Sequence, residues 1–103
     1  MNRVRNNNVV KMWQEGKAAR NHKFTLMSLA LDDGTAELYS YHKKIGHRTA
    51  SGVCVVGDFT APGGEFCSMT TSCHVGRAKR VANLVMHPRV WETCSFKDAE
   101  VSD

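Results

Sequence analysis

The triplet Asp32-Asp33-Gly34 does most to narrow the fold. Asp-Gly between two strand-like runs is a hairpin signal, because glycine enters the left-handed backbone region that tight turns require. Before it, Phe24 to Leu31 is apolar or small on both faces and predicts a buried strand. After it, Ala36 to Lys43 predicts a second strand, with Leu38, Ser40 and His42 on one face and Tyr39 and Tyr41 on the other. Gly46 to Ser51 and Thr60-Ala61-Pro62-Gly63-Gly64 read as further turns. Between them Val53-Cys54-Val55-Val56 is a short β-branched strand, and Glu65 to Met69 predicts a fourth. Short connections favour antiparallel neighbours, hence a meander.

Helical spacing appears on either side. Val9, Met12 and Trp13 predict a short amphipathic helix from Asn8 to about Ala19, weakened by Gly16. Val75, Ala78, Val81, Ala82 and Val85 form the stripe of a second helix, from Ser72 to about Met86. It is expected to stop before Pro88, because the residue ahead of proline is pushed from helical angles. Trp91 is expected to fold back onto the sheet. The predicted fold is α+β: a small antiparallel four-stranded meander flanked by an N-terminal and a C-terminal helix. Residues 1–8 read as a flexible arm, 9–96 as one globular domain and 97–103 as an acidic flexible tail.

At 103 residues and 42% hydrophobic the chain suits one domain. Its modest core leaves a role for a bound partner or a homodimer. No apolar run approaches the length of a membrane span, and the polar stretch Met1 to Asn8 lacks the apolar core of a signal peptide. The expectation is a cytoplasmic protein with no membrane partner. In that compartment Cys54, Cys67, Cys73 and Cys94 read as reduced thiols.

The net charge of +4 is unevenly spread. Through Arg89 there are 13 basic and six acidic residues; beyond it four acidic residues accompany Lys97 alone. A basic body points to nucleic acid or to an acidic protein surface. The cations form three groups: Arg3, Arg5, Lys11, Lys17, Arg20 and Lys23; Lys43, Lys44 and Arg48; and Arg77, Lys79 and Arg80. If they converge they make a phosphate-tracking surface, with Tyr39, Tyr41 or Trp13 available for stacking. If they scatter they are a solvated shell. No helix-turn-helix or zinc-finger pattern is present for reading sequence.

Thr70-Thr71-Ser72-Cys73-His74-Val75-Gly76-Arg77 is the candidate site. Hydroxyls at a helix start can cap free N–H groups, and the helix dipole favours an anion there. With His74, Arg77, Lys79 and Arg80, these hydroxyls can hold a phosphate, a carboxylate or an acidic partner surface. The alternative is plain capping, with His74 bonded to the sheet. Cys73 in a first turn suits a nucleophile, but the adjacent His74 lies about 100° around the helix and is poorly placed as its base. No catalytic residue is assigned, and a non-enzymatic role is expected. Cys67, Cys73, His74, His87 and Cys94 lack the short ligand pair usual in zinc sites, so no metal or other cofactor is expected.

Leu38-Tyr39-Ser40-Tyr41 with Ile45-Gly46-His47-Arg48, and then Ser68-Met69-Thr70-Thr71-Ser72-Cys73-His74-Val75, carry a resemblance. They look like the two signatures of a family of small uncharacterised tailed-bacteriophage proteins, a Leu-Tyr-Ser-Tyr hairpin followed by a Thr-Thr-x-x-His helix start. Cys73 departs from the pattern, standing where a polar residue, often lysine, is expected. The resemblance implies a phage accessory protein acting by binding in the cytoplasm of an infected bacterial host. The function expected from it is inhibition of a host protein of defence or nucleic-acid-processing machinery. The alternative drawn from the basic body is a nucleic-acid-binding module, and a Cys-dependent enzyme stands third.

Overall fold

A computed structural model describes residues 2–41, 43–59 and 69–93. Their order is β1 (Asn2–Arg3), α1 (Asn6–Gln14), β2 (Ala19–Arg20), β3 (Leu26–Ala30), β4 (Ala36–Ser40), β5 (Lys43–Arg48), β6 (Cys54–Gly57), α2 (Met69–Lys79), β7 (Leu84–Met86) and α3 (Pro88–Thr93). The α+β class is as expected. The four-stranded meander is corrected to one seven-stranded mixed sheet in sequential order. β2 to β6 run antiparallel, while β1 pairs parallel with β2 and β7 parallel with β6. A parallel neighbour needs a crossover, and α1 and α2 supply the two.

Strands lie on both sides of Asp32-Asp33-Gly34 as expected, but the second ends at Ser40 and not at Lys43: Tyr41, at φ +57°, turns the chain, and Lys43 opens β5, paired opposite Ser40. Gly34 has φ +88°, and the Asp33 carboxylate accepts bonds from the Thr35 hydroxyl and N–H. Those two bonds hold the Asp33 carboxyl below its usual pKa. Elsewhere tertiary pairing overrides local pattern. Gly46 lies inside β5 instead of opening a turn, and the turn falls after Arg48. A Cβ on Gly46 would sit 2.8 Å from Trp13 Cζ2, so the glycine makes room for the indole. Trp13 is fully buried and donates Nε1–H to the Ala36 carbonyl at 3.1 Å.

Further differences concern the ends of elements. The expected arm is a strand followed by the first turn of α1: Asn2–Arg3 pair with β2, and the helix opens at Asn6. α1 stops at Gln14, short of Ala19. Gly16, at φ +77°, closes it by sending its N–H to the Trp13 carbonyl, while Lys17 N–H reaches the Met12 carbonyl. α2 starts at Met69 and ends at Lys79, so Leu84 to Met86 leaves the predicted helix as β7. Asn83 anchors that change: its side-chain oxygen accepts from Cys54 N–H, and its own N–H reaches the Cys54 carbonyl. Met69 opens a helix where a strand was expected to end; residues 65–68, the turn at 60–64 and the tail at 97–103 lie outside the described residues.

Val9, Val10 and Trp13 of α1 and Val75 and Ala78 of α2 join Leu26, Leu38, Ile45 and Val56 of the sheet in one core. Trp91 on α3 folds back as expected, buried against Gly57 and donating Nε1–H to the Lys44 carbonyl at 3.2 Å. No helix among the described residues is long and apolar enough to cross a membrane.

Candidate anion-binding cleft

β1, β2, β4 and β6 point the same way, so their carboxyl ends lie along one edge of the molecule. Both crossover helices begin there. Open sheets with such crossovers bind ligands beyond the carboxyl ends of their strands. A hollow of about 660 Å³ occupies this edge. It is lined by Arg3, Val4 and Arg5 after β1, Asn6 and Asn7 of α1, Asn21 to Lys23 and Thr25 of the β2–β3 turn, and Thr70, His74 and Arg77 of α2. A second hollow of about 350 Å³ between α1 and α2 shares Asn7 and Arg77 and adds Lys11 and Arg80. No carboxylate lines either among the described residues.

Asn21 builds the floor. Its carbonyl oxygen accepts from the N–H groups of Thr25 (2.8 Å) and Leu26 (3.2 Å). Its Nδ2 donates to Asn6 Oδ1 at 2.9 Å and Thr25 Oγ1 at 2.6 Å. One buried amide thereby fixes the turn to the start of α1. Arg5 precedes α1 in extended conformation and makes no side-chain cap bond, and no acidic residue sits in the first turn. Thr70 lines the hollow from the first turn of α2, so the positive ends of two helices face one space.

The opposite wall is anchored by a buried polar trio. Ser40 Oγ lies 2.7 Å from His74 Nδ1 and 3.0 Å from Thr71 Oγ1. Burial first, and the Arg77 charge second, hold the His74 imidazole below its ordinary pKa. Ser40 is 1% exposed, so its hydroxyl is closed to a substrate.

The expected site residues divide. Thr70, His74 and Arg77 reach the first hollow and Arg80 the second, whereas Thr71 is turned into the core. Ser72 is half-buried and lines neither hollow, and Cys73 is an exposed free thiol. Lys79 pairs with Asp58 at 3.3 Å instead of joining the cluster. The second expected basic patch stands apart from the cleft. Lys44 binds Glu37 at 2.7 Å, Lys43 lies over the Phe59 ring, and Arg48 donates to the carbonyls of Gln14, Gly34 and Thr49. Of the aromatics offered for stacking, Trp13 is buried in the core and Tyr39 donates to Glu37, leaving Tyr41 exposed.

Sequence reasoning grouped Arg3, Arg5, Lys11 and Lys23 without placing them, and passed over Asn21. Their convergence depends on β1 lying beside β2, which two-residue strands do not announce. Among the described residues no three His, Cys, Asp or Glu side chains gather as a metal site, and Cys67 and Cys94 lie outside them. Comparison with protein-family models, with characterised proteins and with solved structures finds no match to this chain.

Proposed function

We propose that the protein binds nucleic acid by its phosphates, along the cleft and its extension between α1 and α2. One observation carries this: Arg3, Arg5, Lys23, Arg77, Lys11 and Arg80 line two hollows that share Asn7 and Arg77, with no carboxylate among the described residues lining them. The ion pairs Lys17 with Glu15, Lys44 with Glu37 and Lys79 with Asp58 involve no residue that lines either hollow. Cations gathered with no carboxylate among the described residues lining their hollows repel one another, and a polyanion relieves that repulsion. The positive ends of two helices add to the field. Two hollows with Asn7 and Arg77 in the walls of both suit a chain of phosphates better than a single one.

The motif resemblance adds a biological setting, an accessory protein of phage type acting on nucleic acid or on host machinery that processes it. An acidic face of a host protein is the other ligand these cations fit. A hollow of this size is suited to phosphate groups, whereas protein partners meet over broader and flatter areas.

Fluorescence anisotropy of a labelled oligonucleotide at low salt tests the proposal. Arg77→Ala weakens binding to a similar degree for every base sequence. Lys79→Ala, on the same helix but paired with Asp58, leaves it unchanged. Equal effects of the two substitutions, or no binding at low salt, contradict the proposal.

A further inference from the structure

Two non-glycine residues in the described chain have positive φ, Phe24 at +60° and Tyr41 at +57°. Both are aromatic and exposed (60% and 46%), and each neighbours residues of the hollow without lining it itself. Phe24 lies between Lys23 and Thr25, which line the hollow. Tyr41 donates its N–H to the Thr25 carbonyl at 2.9 Å, and its ring centroid lies 6.4 Å from that of His74. Each ring thus neighbours the hollow, Phe24 beside Lys23 and Thr25 and Tyr41 beside Thr25 and His74.

Left-handed backbone is disfavoured for side chains with a Cβ, and glycine or asparagine would build either turn with less strain. Neither ring compensates by filling the core. Arg20 lies over the Phe24 ring at 3.7 Å from its centroid and donates Nη1–H to the Asn21 carbonyl at 3.1 Å. One face of the ring is thus backed by a stacked guanidinium. Strained exposed residues of this kind cluster where a ligand is held.

We infer that the cleft takes single-stranded nucleic acid, with unpaired bases stacking on Phe24 and Tyr41 while the phosphates follow Arg3, Arg5, Lys23 and Arg77. This rests on the phosphate-binding proposal and extends it to the bases. Aromatic platforms beside a basic groove are the means by which proteins hold single strands without reading sequence, since every base has a π-face. In a duplex the bases are stacked on one another, and their faces are closed to an external ring.

The test compares three probes in the same buffer: a single-stranded oligothymidine, a duplex of equal length, and inorganic polyphosphate, which has charge but no bases. Phe24→Gly and Tyr41→Gly remove the rings while suiting the left-handed backbone, and Phe24→Trp keeps a platform. The single strand is expected to bind more tightly than the duplex. Each glycine substitution weakens single-strand binding about tenfold, leaves polyphosphate binding unchanged, and is not reproduced by Phe24→Trp. Duplex binding as tight as single-strand binding, or glycine variants matching the wild type, overturns the stacking inference while polyphosphate binding keeps the basic groove. Loss of polyphosphate binding in the glycine variants also overturns it, by showing that the turns and not the rings matter. Failure of the wild-type protein to bind any of the three refutes the groove as well.

Discussion

Ser40 at the end of β4 and His74 in α2 are 34 residues apart in sequence and joined by a 2.7 Å hydrogen bond. Each belongs to one of the two short motifs in the chain, the Leu-Tyr-Ser-Tyr hairpin and the Thr-Thr-x-x-His helix start. Thr71 completes the contact from the preceding turn of the helix. The consequence lies three residues further on. Arg77 shares a helix face with His74 and reaches Asn7 of α1, so docking α2 on Ser40 also sets the cation between the two hollows.

Ser40→Ala removes the hydroxyl from this trio and takes from buried His74 Nδ1 the bond it makes to the sheet. The cost is about 1–3 kcal/mol, the usual penalty for unsatisfied buried groups. Urea denaturation is expected to show a lower midpoint with an unchanged slope. A midpoint equal to that of the wild type would remove Ser40 from the account of how α2 is positioned.

The state of His74 makes stability depend on pH. Its imidazole is held below the ordinary value of 6.5, first by burial and then by Arg77. The unfolded chain therefore takes up this proton before the folded one does. The His74 contribution is complete above about pH 6.5 and declines as pH falls toward the lower folded value. His74→Asn keeps a polar group near Nδ1 but does not titrate. Its melting temperature is expected to fall less than that of the wild type between about pH 7.5 and 5.5. Parallel pH profiles would show that another group controls acid stability.

Gly46→Ala forces a methyl into the Trp13 ring, with Leu38 Cβ also only 3.1 Å away. Neither the rigid indole nor a strand neighbour can yield cheaply. Overpacking of this kind costs about 1–3 kcal/mol. Calorimetry is expected to show a lowered melting temperature, and an unchanged one would mean that Trp13 shifts freely.

The parts of the fold that follow local chemistry were legible. Asp33, Gly34 and the runs beside them specify β3 and β4 whatever surrounds them, and Trp91 could be placed on the sheet from its size alone. Gly46 misled because its reason is tertiary: it accommodates a ring 33 residues earlier in the sequence. Leu84-Val85-Met86 fits a helical stripe when read locally and becomes a strand only because β6 offers it an edge. The cleft was half visible. Thr70, His74 and Arg77 are neighbours in sequence, whereas Arg3, Arg5 and Lys23 join them only once the sheet brings the carboxyl ends of its parallel-running strands together.

The salt dependence of oligonucleotide binding tests the central claim most directly. Each phosphate neutralised on a single strand releases condensed counterions and contributes about −0.7 to the slope of log K against log salt. With Arg3, Arg5, Lys11, Lys23, Arg77 and Arg80 all engaged, the slope is expected near −4. Arg77→Ala is expected to make it shallower by about one phosphate contact. A slope near zero, or one that Arg77→Ala leaves unchanged, would contradict the reading of this cleft as a phosphate-binding surface.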